Sequence, residues 1–421
     1  MSSHPQKTSL LTALPETRRS PISLLSSGRS LGTFVEAALG ADRNAPLLLL
    51  AEDPSAVPND LAPLGTFAPF STLEGPQPDE AGGGAVLVAG AASPTPPEAA
   101  LAAVYERCPA GTPLVYVDAP RGLTAQRRDA LASALYRAGF VRPRFRAGPG
   151  GRLVALTHRG SAPPPTAREM TLSVVMPVYN ERETFAKVLD ELLAKEIPGI
   201  AIDVVIVESN SSDGTREAVL GYQSHPRVQL VLEDAPHGKG HAVRAGLAAA
   251  GGDFILIQDA DMEYDIADYD ALLEPLRAFR ATFVLGYRLK THGARFGVRH
   301  FEKQLAIGLL MNVGNALFLR LFNTVYRSRL RDPFTMYKVL RRDALEGLRL
   351  ECNRFDFDWE LTGKLLRCGY HPVEVPVSYH SRSFIEGKKV SILRDPLSWV
   401  VACFKYRVSA LEEPLPEEPG R

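Results

Sequence analysis

The chain has 421 residues, 45% hydrophobic and 23% charged, ordinary proportions for a globular protein with room for two cores. Its 48 Lys and Arg balance 48 Asp and Glu, which excludes a bulk electrostatic attraction to nucleic acid. Four scattered cysteines (Cys108, Cys352, Cys368, Cys403), with no C-x-x-C pair, exclude a zinc framework and speak for a reducing compartment.

The first thirty residues are punctuated by Ser, Pro and Arg, so no secretory signal is expected. No run of about 18 apolar residues predicts a transmembrane helix. Strand-like runs follow: PLLLLAE near Leu47, GAVLVAG near Val86, PLVYVDA near Val115 and RLVALTH near Val154. Helical stretches lie between them over 97–106 and 124–138. This alternation predicts an α/β unit over residues 1–160. The order helix, PAGTPLVYV, helix, AGFVRP, strand resembles the back half of a class I methyltransferase. The glycine turn that would hold S-adenosylmethionine is missing, because residues 47–50 run into AEDPSAVPND. Gly82, Gly83 and Gly84 precede a strand instead of following one, so the unit is expected to be a non-catalytic accessory domain. GSAPPPTAR, residues 160–168, reads as a semi-rigid linker.

From Thr171 the pattern sharpens. LSVVMPVYNE reads as a buried strand followed by a helix start at Asn180-Glu181, and IDVVIVESNSSDGT as a second strand with a polar turn. VQLVLED is a third strand, HGKGHAVRAGLAAA a glycine turn and helix, and DFILIQDADME a fourth strand. The alternation implies a parallel sheet whose loops gather at the strands' carboxyl ends, where open α/β sheets bind ligands.

The segment 258–265, QDADMEYD, sets four carboxylates after a buried strand. In an extended segment Asp259, Asp261 and Glu263 share a face. Hard oxygen donors so spaced suit Mg²⁺ or Mn²⁺, which would relieve the repulsion and hold a diphosphate. An EF-hand loop would need Gly at Tyr264, Glu at Asp270 and a preceding helix. A haloacid-dehalogenase-like phosphatase would want Thr or Val at Glu263 and an earlier strand. A merely solvated acidic loop would have no need of the buried strand before it.

VVMPVYNE, VESNSSDGT, HGKGHAVRAG, DADMEYD and DPFTMYKVLRRDAL occur in an order that resembles family 2 nucleotide-sugar glycosyltransferases of the GT-A fold. NRFDFDWELTGKLLRCGYHPVEVPVSYHSRSFIEGKKV and FKYR narrow the resemblance to the polyprenyl-phosphate group, of which dolichyl-phosphate mannose synthase is the best known. It implies an α/β, Rossmann-like domain with a mostly parallel sheet over 169–411, followed by a tail at 412–421. It also implies that Pro177, Tyr179, Glu181, Glu208 and Asp213 line the nucleoside pocket, with Lys239 on a donor-contacting loop. Asp259, Ala260 and Asp261 would meet ribose and metal, with Glu263 as a third ligand. Arg288, Lys338, Arg382, Lys388 and Lys389 would meet phosphates of donor or acceptor, the last three serving the acceptor. Where relatives carry an acidic pair, this chain has Glu208-Ser209, which leaves uridine against guanosine open.

The expected reaction is inverting transfer of a hexose from a nucleotide sugar, GDP-mannose or UDP-glucose in type, to polyprenyl phosphate. His380 reads as a structural histidine before a metal ligand. Two apolar stretches with basic ends, 305–319 and 395–407, suit a membrane surface, with Trp399 and Tyr406 as anchors. Peripheral attachment to the cytoplasmic face of a membrane is therefore expected. Transfer to a glycan or protein hydroxyl would instead need a base, for which Asp356 and Asp358 are candidates. A catalytically silent nucleotide-sugar-binding protein is the remaining alternative.

Overall fold

A computed structural model describes residues 168–288, 305–380 and 394–411. N-terminal to these it describes 47–51, 57, 61, 68–69, 84–88, 98–108, 112–117, 125–147, 153–160 and 164–165. Among these lie two sheets.

The first sheet holds β1 (Leu47–Ala51), β2 (Ala68–Pro69), β3 (Gly84–Val88), β4 (Pro113–Val117), β5 (Phe140–Ala147) and β6 (Leu153–Arg159), in the order β2-β1-β3-β4-β6-β5. β1 to β4 pair in parallel, and β6 runs antiparallel between β4 and β5. Helices α1 (Glu98–Arg107) and α2 (Ala125–Arg137) fall where the sequence predicts them. Of the three glycines before β3, Gly82 and Gly83 lie outside the described residues.

The second sheet contains β7 (Met170–Val178), β8 (Ile200–Glu208), β9 (Val228–Leu232), β10 (Phe254–Ile257), β11 (Phe283–Arg288), β12 (Lys338–Arg341) and β13 (Val373–Val377). Its order is β13-β11-β12-β10-β7-β8-β9. β10, β7, β8 and β9 are mutually parallel and β13 is parallel to β11, while β12 is antiparallel to both its neighbours. The four-residue β10 is buried throughout, as a continuous apolar run in a covered parallel sheet requires. Pro177 is tolerated in β7 because β10 has already ended beside it: the β10 pairing stops at Val175.

Helices α3 (Phe185–Ala194), α4 (Thr215–Leu220), α5 (Lys239–Ala249) and α6 (Tyr269–Arg277) connect these strands. α3 buries Phe185, Val188, Leu189 and Leu192, a stripe at helical spacing worth roughly 1.5–3 kcal/mol per side chain as an upper figure. Three further helices, α7 (Leu305–Tyr326), α8 (Phe357–Cys368) and α9 (Arg394–Val408), pack together through Phe318, Phe322, Trp359 and Trp399. Trp399 thus faces its neighbours across a ring contact of 5.5 Å. Tyr406 is no surface anchor: it is fully buried, and its hydroxyl donates to Asp356 at 2.6 Å.

The two sheets share one contiguous core of buried apolar side chains. A polar seam joins them as well. Arg341, fully buried at the end of β12, pairs with Asp343 at 3.0 and 3.1 Å and donates to the Ala132 carbonyl. Its guanidinium lies 4.0 Å from the centre of the Tyr136 ring on α2. From the other side, Tyr370 donates to the Pro143 carbonyl of β5 at 2.8 Å.

Arg168, the last residue of the predicted linker, is fastened to Asp253 through two hydrogen bonds, and the Thr171 amide adds a third at 2.9 Å. Burial opposes ionisation of Asp253, but Arg168 and Thr171 overcome it, so its pKa lies below the usual carboxylate value. Such a carboxyl stabilises the fold above its unfolded pKa of about 3.9, and the gain is lost as pH falls through the folded value. Asp253→Asn is therefore expected to cost about 1–3 kcal/mol at pH 7 and much less at pH 3. Thermal unfolding at both pH values checks the sign.

Candidate active site

The carboxyl ends of β7, β8, β9 and β10 open on one edge of the second sheet, and the loops there are tied to one another. The Asn180 amide donates to Ser211 at 2.9 Å and the Glu181 amide to Thr215 at 3.0 Å. In return the Ser212 amide donates to the Asn180 side chain at 2.9 Å. Asn180 and Asn210 both adopt left-handed backbone, a conformation asparagine tolerates in tight turns.

The five residues expected around the nucleoside divide into two groups. Pro177, Tyr179 and Glu181 lie on the β7 end, with Tyr179 exposed. Glu208 points inward: it is fully buried and accepts from the Ser211 amide at 2.7 Å and the Asn210 amide at 3.2 Å, with Arg216 at 3.4 Å. Asp213 accepts from the Thr215 amide and hydroxyl and from the Arg182 amide. Burial is the largest single influence and opposes ionisation, but these donors together outweigh it and hold the Asp213 pKa below the usual value. The buried Glu208 thus shapes the turn from within, and the exposed Asp213 ties it from the surface.

The H-G-K-G turn has a steric reason for its glycines. A Cβ on Gly238 would stand 2.4 Å from the Asn353 carbonyl oxygen, and one on Gly240 would stand 2.7 Å from that of Arg354. The turn therefore lies against the main chain just before α8 and starts α5 at Lys239. Lys239 Nζ reaches both oxygens of Asp259, at 2.8 and 2.9 Å. Burial works to lower the Lys239 pKa, but Asp259, helped by Asp358 and Asp261, raises it, so the ammonium stays charged.

Beyond β10 the acidic loop is folded, not extended. Ala260 is buried, Met262 adopts a left-handed φ of 59°, and Asp261 Oδ1 accepts from the Glu263 amide at 3.1 Å. This turn replaces the alternation that would have set Asp259, Asp261 and Glu263 on one face. Asp259 turns to Lys239, whereas Glu263 Oε2 accepts from the Tyr379 hydroxyl at 2.7 Å. Among the described residues no group of three or more His, Cys, Asp or Glu is arranged to hold a metal ion. The donor chemistry still fits Mg²⁺ or Mn²⁺, whose sites commonly use one or two carboxylates plus substrate phosphates instead of an all-protein cage.

Behind the loop, Gln258 is fully buried. It accepts from the hydroxyls of Tyr269 at 2.9 Å and Tyr337 at 2.8 Å, and donates to the Asp259 carbonyl at 2.8 Å. The contact with Tyr337, just before β12, escapes a local pattern because it joins positions 79 apart.

The expected phosphate-binding cations sit deeper than anticipated. Arg288 is nearly buried and forms a two-point pair with Asp332, at 2.6 and 2.8 Å. Lys338 is fully buried between the Thr335 carbonyl and Asp358. Burial lowers the Lys338 pKa against the pull of Asp358, and burial raises that of Asp358 against the pull of Lys338. Both are inward charges held by partners. Arg382, Lys388 and Lys389 lie outside the described residues. His380 is exposed, and its amide donates to the Glu263 carbonyl at 2.8 Å. Of the two candidate bases, Asp356 is engaged by Tyr406, whereas Asp358 shares a charge network with Lys338, Lys239 and Asp259.

Residues 173–349 match the glycosyl transferase family 2 model. Glycosyltransferase AglD of Haloferax volcanii is 29% identical over 238 residues, 55% of this chain and 36% of its own length. Dolichyl-phosphate beta-glucosyltransferase ALG5A of Trichomonas vaginalis is 26% identical over 52% of this chain and 68% of its own. Dolichol-phosphate mannosyltransferase of Pyrococcus furiosus is 26% identical over 52% of this chain and 59% of its own. The chain thus spans 36% of AglD, 68% of the Trichomonas relative and 59% of the Pyrococcus relative. Among solved structures, mannosyl-3-phosphoglycerate synthase from Rubrobacter xylanophilus is similar at a TM-score of 0.42 and 20% identity, covering 56% of this chain and 73% of that one. The sheet order and the strand-end loops agree with the family match, which makes residues 173–349 similar to family 2 glycosyltransferases.

Proposed function

We propose that the protein is a metal-dependent inverting hexosyltransferase that moves a sugar from a nucleotide sugar to polyprenyl phosphate. The observation that carries this reading is the acidic loop at the β10 end, with Asp259 neutralised by Lys239 and Asp261 beside it. The Trichomonas and Pyrococcus relatives, named as a dolichyl-phosphate glucosyltransferase and a dolichol-phosphate mannosyltransferase, support the lipid-phosphate acceptor. In the reaction the anomeric C–O bond to the nucleoside diphosphate breaks, its electron pair leaving on the phosphate oxygen. An acceptor phosphate oxygen forms the new bond from the opposite face. Asp261, on the same loop as Asp259 and Glu263, would hold Mg²⁺ or Mn²⁺ with diphosphate oxygens completing the shell, and the ion would supply charge stabilisation for the departing diphosphate. The chain's own part is to orient. Lys239 fixes Asp259, and the Gln258 and tyrosine network fixes the loop. Arg382, Lys388 and Lys389 are assigned to the acceptor phosphate. Because that phosphate arrives ionised, no base is required. Transfer of label from a panel of nucleotide sugars to undecaprenyl phosphate with Mn²⁺ tests the proposal. No lipid-soluble label from any donor would sink it.

A second reading, transfer to a hydroxyl, rests on Asp358, a partly buried carboxylate whose pKa is raised by desolvation and which lies in the charge network of the site. The two readings differ in outcome. With a phosphate acceptor, Asp358→Asn is expected to slow turnover by less than about tenfold per folded molecule, whereas loss of a general base costs about 10²–10⁴. Asp356→Asn, which breaks only the link to Tyr406, serves as the comparison.

Membrane contact belongs to the same reading. Leu317 on α7 and Val401, Phe404 and Val408 on α9 are 53–80% exposed, on two helices joined by the Phe318–Trp399 contact. Arg320, Lys405 and Arg407 lie on the same helices and are exposed. Among the described residues no helix is long and apolar enough to cross a membrane. Such a surface suits the interface of an anionic bilayer. Leu317→Asp combined with Phe404→Asp is expected to abolish co-flotation with phosphatidylglycerol vesicles. Unchanged flotation of the double variant would argue against this face.

A further inference from the structure

The two helices of the membrane face finish at the same end. The Phe318 and Trp399 rings meet at 5.5 Å. Further along, the Tyr326 hydroxyl donates to the Cys403 carbonyl at 3.1 Å and Arg407 Nε to the Val325 carbonyl at 3.2 Å. Contacts that advance together along both helices mean that α7 and α9 run side by side in one direction. On α7 the exposed Val313, Leu317, Arg320 and Thr324 recur every three or four residues and so form one stripe. The stripe begins apolar and turns cationic towards the carboxyl end, where the exposed Arg407 of α9 joins it.

The chain leaving α7 carries the charge onward in RSRLR, residues 327–331. One side chain braces this loop. Asn323 accepts from the Ser328 hydroxyl at 2.7 Å and the Leu330 amide at 2.9 Å, and donates to the Leu330 carbonyl at 2.9 Å. Leu330 is buried and Ser328 half-buried, which leaves Arg327, Arg329 and Arg331 exposed in alternation. Arg331 is partly engaged by the Tyr287 ring, whose centre lies 4.9 Å from its guanidinium. Arg327 and Arg329 are not so engaged. Among the described residues neither they nor Arg320 and Arg407 form an ion pair.

A loop needed only to join α7 to β12 has no use for like charges held outward on a braced segment. Fixed cations beside exposed apolar side chains match a bilayer, which offers phosphate headgroups next to an apolar interior. Nucleic acid fits less well, because it offers no counterpart for the exposed Leu317, Phe404 and Val408.

We infer that Arg327 and Arg329, with Arg320 and Arg407 beside them, form a docking patch for anionic phospholipid headgroups and give the protein a preference for charged over neutral bilayers. The inference rests on the membrane-contact reading above and adds to it the loop between α7 and β12. The apolar side chains favour insertion into any bilayer, whereas the patch supplies selectivity and salt dependence.

The test is titration of the full chain with vesicles, followed by co-flotation, using phosphatidylcholine alone and phosphatidylcholine mixed with phosphatidylglycerol. Wild type is compared with the double variant Arg327→Gln/Arg329→Gln, with the charge-keeping Arg327→Lys/Arg329→Lys, and with Lys187→Gln/Arg280→Gln. The last removes two exposed cations from α3 and from the turn after α6. Each cation near an anionic surface contributes roughly a factor of five in binding, so the patch variant is expected to lose about 30-fold on the mixed vesicles. Its binding to phosphatidylcholine alone should not change. The lysine variant and the distant control should both stay near wild type. Wild-type binding of the patch variant to mixed vesicles, or an equal loss in the distant control, overturns the inference while leaving the apolar contact intact. If wild type floats with neither vesicle, the membrane reading fails and takes the inference with it.

Discussion

Asp261→Asn is expected to lower kcat/KM for sugar transfer by at least about 10²–10³-fold, without loss of fold. Asparagine keeps an oxygen that can accept from the Glu263 amide, so the turn at Met262 retains its internal hydrogen bond. What it removes is the negative charge. The neighbouring Asp259 already has its charge matched by Lys239, so Asp261 is the carboxylate on which cation binding should depend most. Steady-state rates with labelled donor give the first number. Binding of the nucleoside diphosphate gives the second. It should weaken in the variant when Mn²⁺ is present and stay the same when Mn²⁺ is absent. A rate within threefold of wild type would remove Asp261 from the chemistry. Asp259→Asn is a poorer test, because it strands the Lys239 ammonium and confounds folding with function.

The second large effect concerns stability. Arg341→Ala deletes one member of a fully buried pair and leaves Asp343 uncompensated at the seam, a loss of about 3–5 kcal/mol in comparable cases. It also removes the cation above the Tyr136 ring and the donor to Ala132, so both sheets lose a common support. A fall in Tm of roughly 5 °C or more is expected for the intact chain. Arg341→Lys should recover only part of it, since an ammonium cannot present two parallel donors to Asp343. Activity per folded molecule should hardly change, because Arg341 lies at the opposite end of β12 from Lys338. If Tm is unaltered, the Arg341 cluster carries no appreciable stability, and the N-terminal sheet is held by apolar contact and the Tyr370 bond to Pro143.

Much of the catalytic region could be read from its residues because its central strands announce themselves. β10 is a wholly buried apolar run, and the carboxyl-terminal halves of β7 and β8 are mostly buried apolar runs that end in turn residues. The loops after them carry short motifs whose order identified the family. The peripheral half was harder. β12 reads KVLR, a strand bounded by two cations, and charge at both ends suggests a surface segment. Only the assembled fold supplies Asp358 for Lys338 and Asp343 for Arg341, and so makes burial tolerable. The left-handed residue at Met262 was likewise invisible, since nothing in its side chain demands it, and it undid the expectation of three aligned carboxylates. Glu208 was placed in the right turn but with the wrong orientation. Its partners are backbone amides, which carry no residue-type signal. The contact of Tyr379 with Glu263 joins positions 116 apart, beyond any local pattern.

The two glycines beside Lys239 have a consequence for how the protein spends its entropy. They press the start of α5 onto the main chain at Asn353 and Arg354, four residues before Asp358. The start of α5, with Lys239, is therefore packed directly against the segment that leads into Asp358. The cost of bringing these like and unlike charges together is met once, when the chain folds, and is not repeated at each turnover. An incoming diphosphate meets charges already in register, and whatever yields to admit it must lie on another wall of the cleft.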